Sequence, residues 1–358
     1  VRCVQNGRTQ EASVAGDAYN RIGDCYFYER RFEEARQQYA QAVVTSPSLG
    51  DYSLFQEGIV KGLQRDYAGK IQVLNKLITD YPSSAYLDDA LYEQGRAFVQ
   101  MEDSENAIKR YSLLVQRYPE SELSRNEIGL LYYQNDRYEE AIAAYKQVIT
   151  KYPGSAEARL AQRDLKSIYV DLNKVDDYMA FASTVPGGAT FNVSERDSLT
   201  YTAAERAYMR GDIAGAKTSL TRYLQSFPQG AFSVDASYYL GLIDYNQKDY
   251  AAASARLEEV LRFSGSKYEG KALALCADMA YNQKKYAKAL NLYKRLADRS
   301  AVQEERLQAE VGALRSACAL GDRAETVTTA SALLKQSKLT PEVRSEALYF
   351  RAKALLAE

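Results

Sequence analysis

Few residues in this chain have the type and spacing for chemistry. The four cysteines, Cys3, Cys25, Cys276 and Cys318, never stand two residues apart, so neither a zinc ribbon nor a redox pair is spelled. They read as small buried apolar residues, with a Cys3–Cys25 disulfide as the alternative in an oxidising compartment. Ser264-Gly265-Ser266-Lys267 has the Ser-x-x-Lys spacing of an acyl-transfer nucleophile and its base, but the companion motifs of that chemistry are missing. The carboxylate pairs Glu33–Glu34, Asp88–Asp89, Glu139–Glu140 and Asp176–Asp177 are of the type that serves glycoside hydrolysis. On helices such neighbours are expected as solvated, helix-start charges. Asn192-Val193-Ser194 fits a glycosylation acceptor, which has meaning only in a eukaryotic source. Histidine is absent. That zero removes imidazole acid–base catalysis, every Ser–His or Cys–His pair and the commonest zinc ligand. No phosphate-cradling loop, dinucleotide fingerprint, nucleophile elbow or metalloprotease helix is present. The chain is therefore read as no enzyme, with no catalytic residue, no metal site and no cofactor.

Composition narrows the partners. The 358 residues are 46% hydrophobic and 26% charged, an ordinary globular balance. Lys and Arg total 46 against 47 Asp and Glu, a net charge of -1, which lacks the basic footprint of nucleic-acid binding. No apolar run approaches the roughly 20 residues of a membrane-spanning helix, so no direct membrane insertion is expected. The start at Val1 suggests a processed or excised piece. There are 30 tyrosines and no tryptophan.

An internal repeat organises the chain. From Gly23 an aromatic follows nine residues later (Phe32), then Ala35, Tyr39 and Pro47 at the same offsets that lead from Gly129 to Tyr138, Ala141, Tyr145 and Pro153. Gly95 leads to Ala107, Tyr111 and Pro119; Gly58 to Tyr67, Leu74 and Pro82, with Lys70 in the alanine slot. Ala204, Gly241 and Ala277 restart the register, and clear origins lie 34 to 37 residues apart. Two helically spaced apolar runs per unit predict an antiparallel helix pair, the small residues allowing close approach. Asp66, Asp103, Asp212, Asp249 and Asp322 are placed to cap second helices, and the prolines to stop them. Thr340-Pro341 reads as the start of one last helix.

These residues closely resemble the tetratricopeptide repeat over about 340 residues. The resemblance implies an all-α, right-handed superhelical solenoid of about nine antiparallel helix pairs plus a terminal helix. The fifth unit departs from the pattern with Lys166 and Tyr178 in the small slots, and the ninth with Leu314 and Thr326. Residues 1–15 read as the tail of a preceding unit or an irregular lead-in, 16–185 as a first sub-array of about five repeats, and 186–198 as a joint. Residues 199–340 read as a second sub-array of about four repeats, and 341–358 as a terminal helix that opens a truncated repeat, with the natural array expected to continue. Ser198 is expected to cap the helix after the joint. The Tyr-Pro-x-Ser joints, such as Tyr81-Pro82-Ser83-Ser84, resemble those of outer-membrane-assembly lipoproteins and Tol–Pal coordinator proteins, and the chain is similar to long repeat proteins of Bacteroidetes-type bacteria. This implies a periplasmic or outer-membrane-associated place, with the cytoplasm as the alternative.

In the repeat family the first helices line a concave face. Tyr92, Tyr133, Tyr201, Tyr208, Tyr238, Tyr245 and Tyr281 are expected to project into it with Arg96, Asn126, Asn246 and Asn282. Tyrosine offers a rigid face and a polar tip at low entropic cost. Packing on the neighbouring first helix is the competing explanation. The places of the family's Lys/Asn clamp for a terminal carboxylate hold Asn20 and Asp24, Phe55 and Ile59, or Tyr92 and Arg96, so that ligand is not expected. The expected function is a protein–protein interaction scaffold that binds an extended peptide or partner protein in bacterial envelope assembly. The alternatives are a glycan-binding envelope component and a regulatory arm of a larger enzyme or sensor.

Overall fold

The computed structural model describes residues 12–185, 191–337 and 339–356. These residues form 19 α-helices and no strand. Four pairs come first: α1 (Ala12–Tyr28) with α2 (Phe32–Thr45), α3 (Gly50–Leu63) with α4 (Tyr67–Asp80), α5 (Leu87–Gln100) with α6 (Ser104–Arg117), and α7 (Glu127–Gln134) with α8 (Tyr138–Lys151). In the departing fifth unit α9 (Ala156–Asp171) is followed by α10 (Val175–Thr184). Then follow α11 (Val193–Met209) with α12 (Ile213–Ser226), α13 (Ser233–Asn246) with α14 (Tyr250–Val260), and α15 (Glu269–Asn282) with α16 (Tyr286–Arg299). The ninth pair is α17 (Gln303–Leu320) with α18 (Arg323–Leu334), and α19 (Pro341–Leu356) closes the series.

Every turn within a pair is built the same way. The second residue after the first helix (the first, Gly321, after α17) takes a left-handed conformation, and the amide after it reaches back five residues to a helix carbonyl, as Arg31 does to Tyr26 and Asp322 to Ala317. Only Gly211 and Gly321 are glycines at this place; Arg30, Arg65, Glu102, Asp136, Asn173, Lys248 and Lys284 hold φ between 57° and 64°. The next residue is the N-cap of the second helix. The five expected aspartates, Asp66, Asp103, Asp212, Asp249 and Asp322, each accept a hydrogen bond from the amide three residues on, at 2.9–3.1 Å.

The origin glycine of each pair faces the residue sixteen places later. A Cβ on Gly23, Gly95 or Gly129 would fall within 3 Å of the ring of Tyr39, Tyr111 or Tyr145, and one on Gly58 or Gly241 would meet Leu74 or Leu257. The alanines twelve places on, Ala35, Ala107, Ala141, Ala253 and Ala289, are wholly buried. Joints are tied by tyrosine: the Tyr81 hydroxyl donates to the Pro47 carbonyl at 2.8 Å, and that of Tyr152 to the Pro119 carbonyl at 3.1 Å.

Packing divides the chain into two units, the first running to Ile168 inside α9 and taking up Thr184 again, so Tyr169–Ser183, with nearly all of α10, belongs with the second. This boundary precedes the joint expected at 186–198, of which residues 186–190 lie outside the described residues. The helix after it begins at Val193, capped by Asn192 instead of Ser198. Asn192 Oδ1 accepts from the Glu195 amide and the Glu195 carboxylate from the Asn192 amide, both at 2.9 Å. At α19 the expected cap is present, with the Val343 amide 3.4 Å from Thr340 Oγ1. Cys25, Cys276 and Cys318 are free, and the disulfide expectation falls on Cys3, outside the described residues.

Candidate functional site

The tyrosines of the first helices fall into two registers with different jobs. Three places before the origin, the side chain reaches the start of the next pair. Phe55 stacks on Tyr86 at 5.2 Å between centroids, Tyr201 on Phe232 at 4.6 Å and Tyr238 on Tyr268 at 4.0 Å, all nearly parallel. Each partner is the residue that immediately precedes a first helix. Tyr201 and Tyr238 are consequently 3% and 6% exposed, and neither lines a groove as the spacing suggested. Burial pushes both phenols above the ordinary tyrosine range, and the Tyr201 hydroxyl is satisfied by Glu205 at 2.9 Å. Asn126 does the same job with a hydrogen bond, donating from Nδ2 to the Glu157 carbonyl at 3.0 Å. Tyr92 is half-buried against Tyr111, ring centroids 5.8 Å apart, its phenol raised by burial and by Glu127 beside it.

Four places after the origin, the ring meets the aromatic that opens the second helix of its own pair. Tyr133–Tyr138, Tyr245–Tyr250 and Tyr281–Tyr286 are edge-to-face at 5.4–5.8 Å, as is Phe27–Phe32 at 5.9 Å. These rings clasp the turn. The pair with Ile213 in the second place lacks that clasp, and its Tyr208 leans on Tyr239 of the next pair at 4.8 Å. Asn246 and Asn282 end their helices in solvent, and Arg96 bonds Glu93 on its own helix at 2.8 Å. The expected residues are therefore dispersed over several clefts and stacks.

One cleft combines an expected residue with open polar groups. About 270 Å³ lies between α15 and α17 over the floor of α16, lined by Tyr281, Asp278, Tyr293, Gln308 and Arg315. Small residues, Ala274, Ala309 and Gly312, leave the room. A Cβ on Gly312 would sit 2.6 Å from the Tyr293 ring. Asp278 accepts a hydrogen bond from the Tyr293 hydroxyl, whose pKa is raised first by burial and then by that carboxylate. The same one-and-sixteen relation holds in the first pair, where Asp24 accepts from Tyr39 at 2.9 Å and from Tyr52 at 2.7 Å. Arg315 is clamped by both oxygens of Glu346 at 2.6 and 2.9 Å. Asp278, Gln308 and Arg315 were missed by the tyrosine pattern; the recurrence of aspartate after a small origin residue, at Asp24 and Asp278, was the available signal.

A second cleft of about 310 Å³ in the first unit holds Arg96, Tyr67, Gln100 and the buried Lys70–Glu93 ion pair. The groups considered for catalysis have other employment. Lys267 pairs with Asp235 at 2.7 Å, and the four carboxylate pairs all lie in first turns of helices. Among the described residues no cluster of three or more Cys, Asp or Glu could hold a metal ion, and no helix is long and apolar enough to cross a membrane.

Family models described as tetratricopeptide repeat match residues 16–48, 52–84, 92–156 and 201–266, together more than half of the chain. A comparison with curated protein sequences gives no match. Among solved structures, a tetratricopeptide repeat protein from Parabacteroides merdae aligns with TM-score 0.38 and 14% identity, over 82% of this chain and 96% of that one. The Naa15/Naa10 complex bound to HypK aligns with TM-score 0.39 and 13% identity, over 95% of this chain and 67% of the other. The MamA protein aligns with TM-score 0.39 and 18% identity, over 55% and 94%.

Proposed function

Because the chain belongs to the tetratricopeptide-repeat family, whose members generally mediate protein–protein interaction, we propose that it is a non-catalytic scaffold holding an extended segment of a partner protein along its first helices. The observation that carries this reading is the cleft between α15 and α17. Its Tyr281 ring gives a partly exposed apolar face, while the solvent-facing Asp278 carboxylate and Gln308 amide supply the group types that pair with backbone amide and carbonyl groups. The buried Tyr201 and Tyr238 contribute to this by fixing neighbouring pairs, not by touching the segment.

The test is selection of a displayed library of random peptides on the purified chain, followed by titration calorimetry of the enriched sequences. Tyr281→Ala with Gln308→Ala should weaken them at least about tenfold, the weight of one lost anchor. Peptides that bind this double variant as tightly as the parent would remove the assignment. The proposal extends to place: the Tyr-Pro-x-Ser joints support the bacterial envelope, so the protein should fractionate with periplasmic or outer-membrane markers. Recovery with cytosolic markers alone would overturn that part.

A further inference from the structure

The fourth pair departs from its neighbours in a way that opens a separate site. Its first helix, α7, has eight residues, where α3, α5, α13 and α15 have fourteen. Residues 123–126 run as turns ahead of it, with Ser124 left-handed at φ 61°. Beside this shortened helix a groove of about 660 Å³ lies between the second helices α6 and α8, floored by Ile128 and Tyr132 of α7. A smaller cavity continues inward from it along Val115, Ile128 and Ala144 and ends on Arg125 and Tyr152.

Arg125 is 7% exposed and only partly satisfied. Its Nη2 donates to the carbonyls of Pro119 and Glu120 at 3.2 Å each, Nη1 lies 3.7 Å from Glu157 Oε2, and the guanidinium rests on the Tyr152 ring at 3.8 Å. Nε has no partner. Nor do the buried Ser124 Oγ and Asn126 Oδ1 on either side of it. A buried donor on a charged group is costly to leave unpaired, and a fixed guanidinium suits a carboxylate best. Glu140 and Lys151 on the outer groove wall offset one another in charge, so the group that selects an acid is Arg125, and Gln116 and Gln147 offer amides at the rim.

We propose that this groove is a second docking site, for a partner segment that carries an acidic side chain between apolar residues. The carboxylate enters the inner cavity and accepts from Arg125 Nε, while its apolar neighbours lie on Val115, Ile128 and Ala144. The site sits among second helices and does not depend on the first-helix cleft.

Two fluorescent peptide libraries, C-terminally amidated and alike in their Leu, Val and Ala positions, test this, one with glutamate at the centre and one with glutamine. The glutamate library should bind at least about tenfold more tightly, the effect of one charge-assisted hydrogen bond. It should also shift the Arg125 Nε–Hε resonance of the full chain. Arg125→Gln should abolish the difference between the libraries. Ala144→Phe, which fills the half-exposed wall and leaves Arg125 in place, should remove binding of both without changing the circular dichroism spectrum. Equal binding of the two libraries, binding by neither, or glutamate binding undisturbed by Ala144→Phe would overturn the proposal.

Discussion

The close approach of the two helices in a pair can be tested at Gly95. An alanine there places its Cβ 2.2 Å from the Tyr111 ring, more than an ångström inside the 3.4 Å at which ordinary contact begins. The ring has nowhere to go: it is 2% exposed, with Tyr92 at 5.8 Å on one side and Leu131 packed in the same cluster. Overpacking of this kind costs about 1–3 kcal/mol, and the better helix propensity of alanine returns up to about 1 kcal/mol. The net expectation is a loss of about 1–2 kcal/mol, or about 5- to 30-fold in the local opening equilibrium. In a repeat array that loss stays with the pair and its neighbours. Hydrogen exchange followed by mass spectrometry should show faster exchange in α5 and α6, while α15 to α18 keep their protection. Gly270→Ala is the control, since nothing lies within 4 Å of its Cβ, and it should stabilise by about 0.4–1 kcal/mol. If Gly95→Ala exchanged like the parent, or lost protection evenly along the chain, the packing argument would be refuted.

Lys70 and Glu93 form an ion pair with side chains 8% and 11% exposed, Arg96 holding the other Glu93 oxygen. Lys70→Met alone should cost about 3 kcal/mol by stranding the carboxylate, and adding Glu93→Leu should recover most of it in urea titrations; equal stability of the single and double variants would contradict this. Burial raises the Glu57 pKa above its ordinary 4.5, against the weaker pull of Lys61, Arg36 and Lys76. A raised folded-state value means that folding is disfavoured once pH rises through it, so Glu57→Gln should raise the urea midpoint at pH 7. That gain should vanish below about pH 4.5, where folded and unfolded chains both hold the proton; a gain constant with pH would point to another cause. Burial also pushes the Cys276 thiol up to about 12. It should stay unlabelled by iodoacetamide at pH 8 in the native protein and react in urea, and native labelling would show that the α15 core opens readily.

Much of the architecture was legible because its signals are steric. A glycine that must face a ring sixteen places on, a proline that must stop a helix and an aspartate that caps the next one each leave a residue type at a fixed offset. The turn itself was less visible, since its left-handed place is held more often by arginine, lysine, glutamate, aspartate or asparagine than by glycine. Asn192 with Glu195 three places on spells a capping box, so the cap lies six residues before Ser198, the serine expected to form it. The site was harder. Helical spacing places Tyr201 and Tyr238 on the inward side of their helices, but only packing shows that Phe232 and Tyr268 close over them. Spacing likewise cannot tell a ring that waits for a ligand from one that clasps its own turn, as Tyr133 and Tyr245 do. The short α7 was hidden because Gly129, Tyr138 and Tyr145 keep perfect register across it.

The tyrosine bonds between joints have a mechanical consequence. Tyr81 reaches back 34 residues to Pro47, and Tyr152 reaches back 33 to Pro119. Tension applied along the polypeptide therefore loads these links one unit at a time. Each link closes a loop of one repeat, which adds roughly 110–120 Å of extended chain once its helices have also unfolded. Unfolding of either linked repeat therefore lengthens the chain by nearly the same step, set by the repeat length.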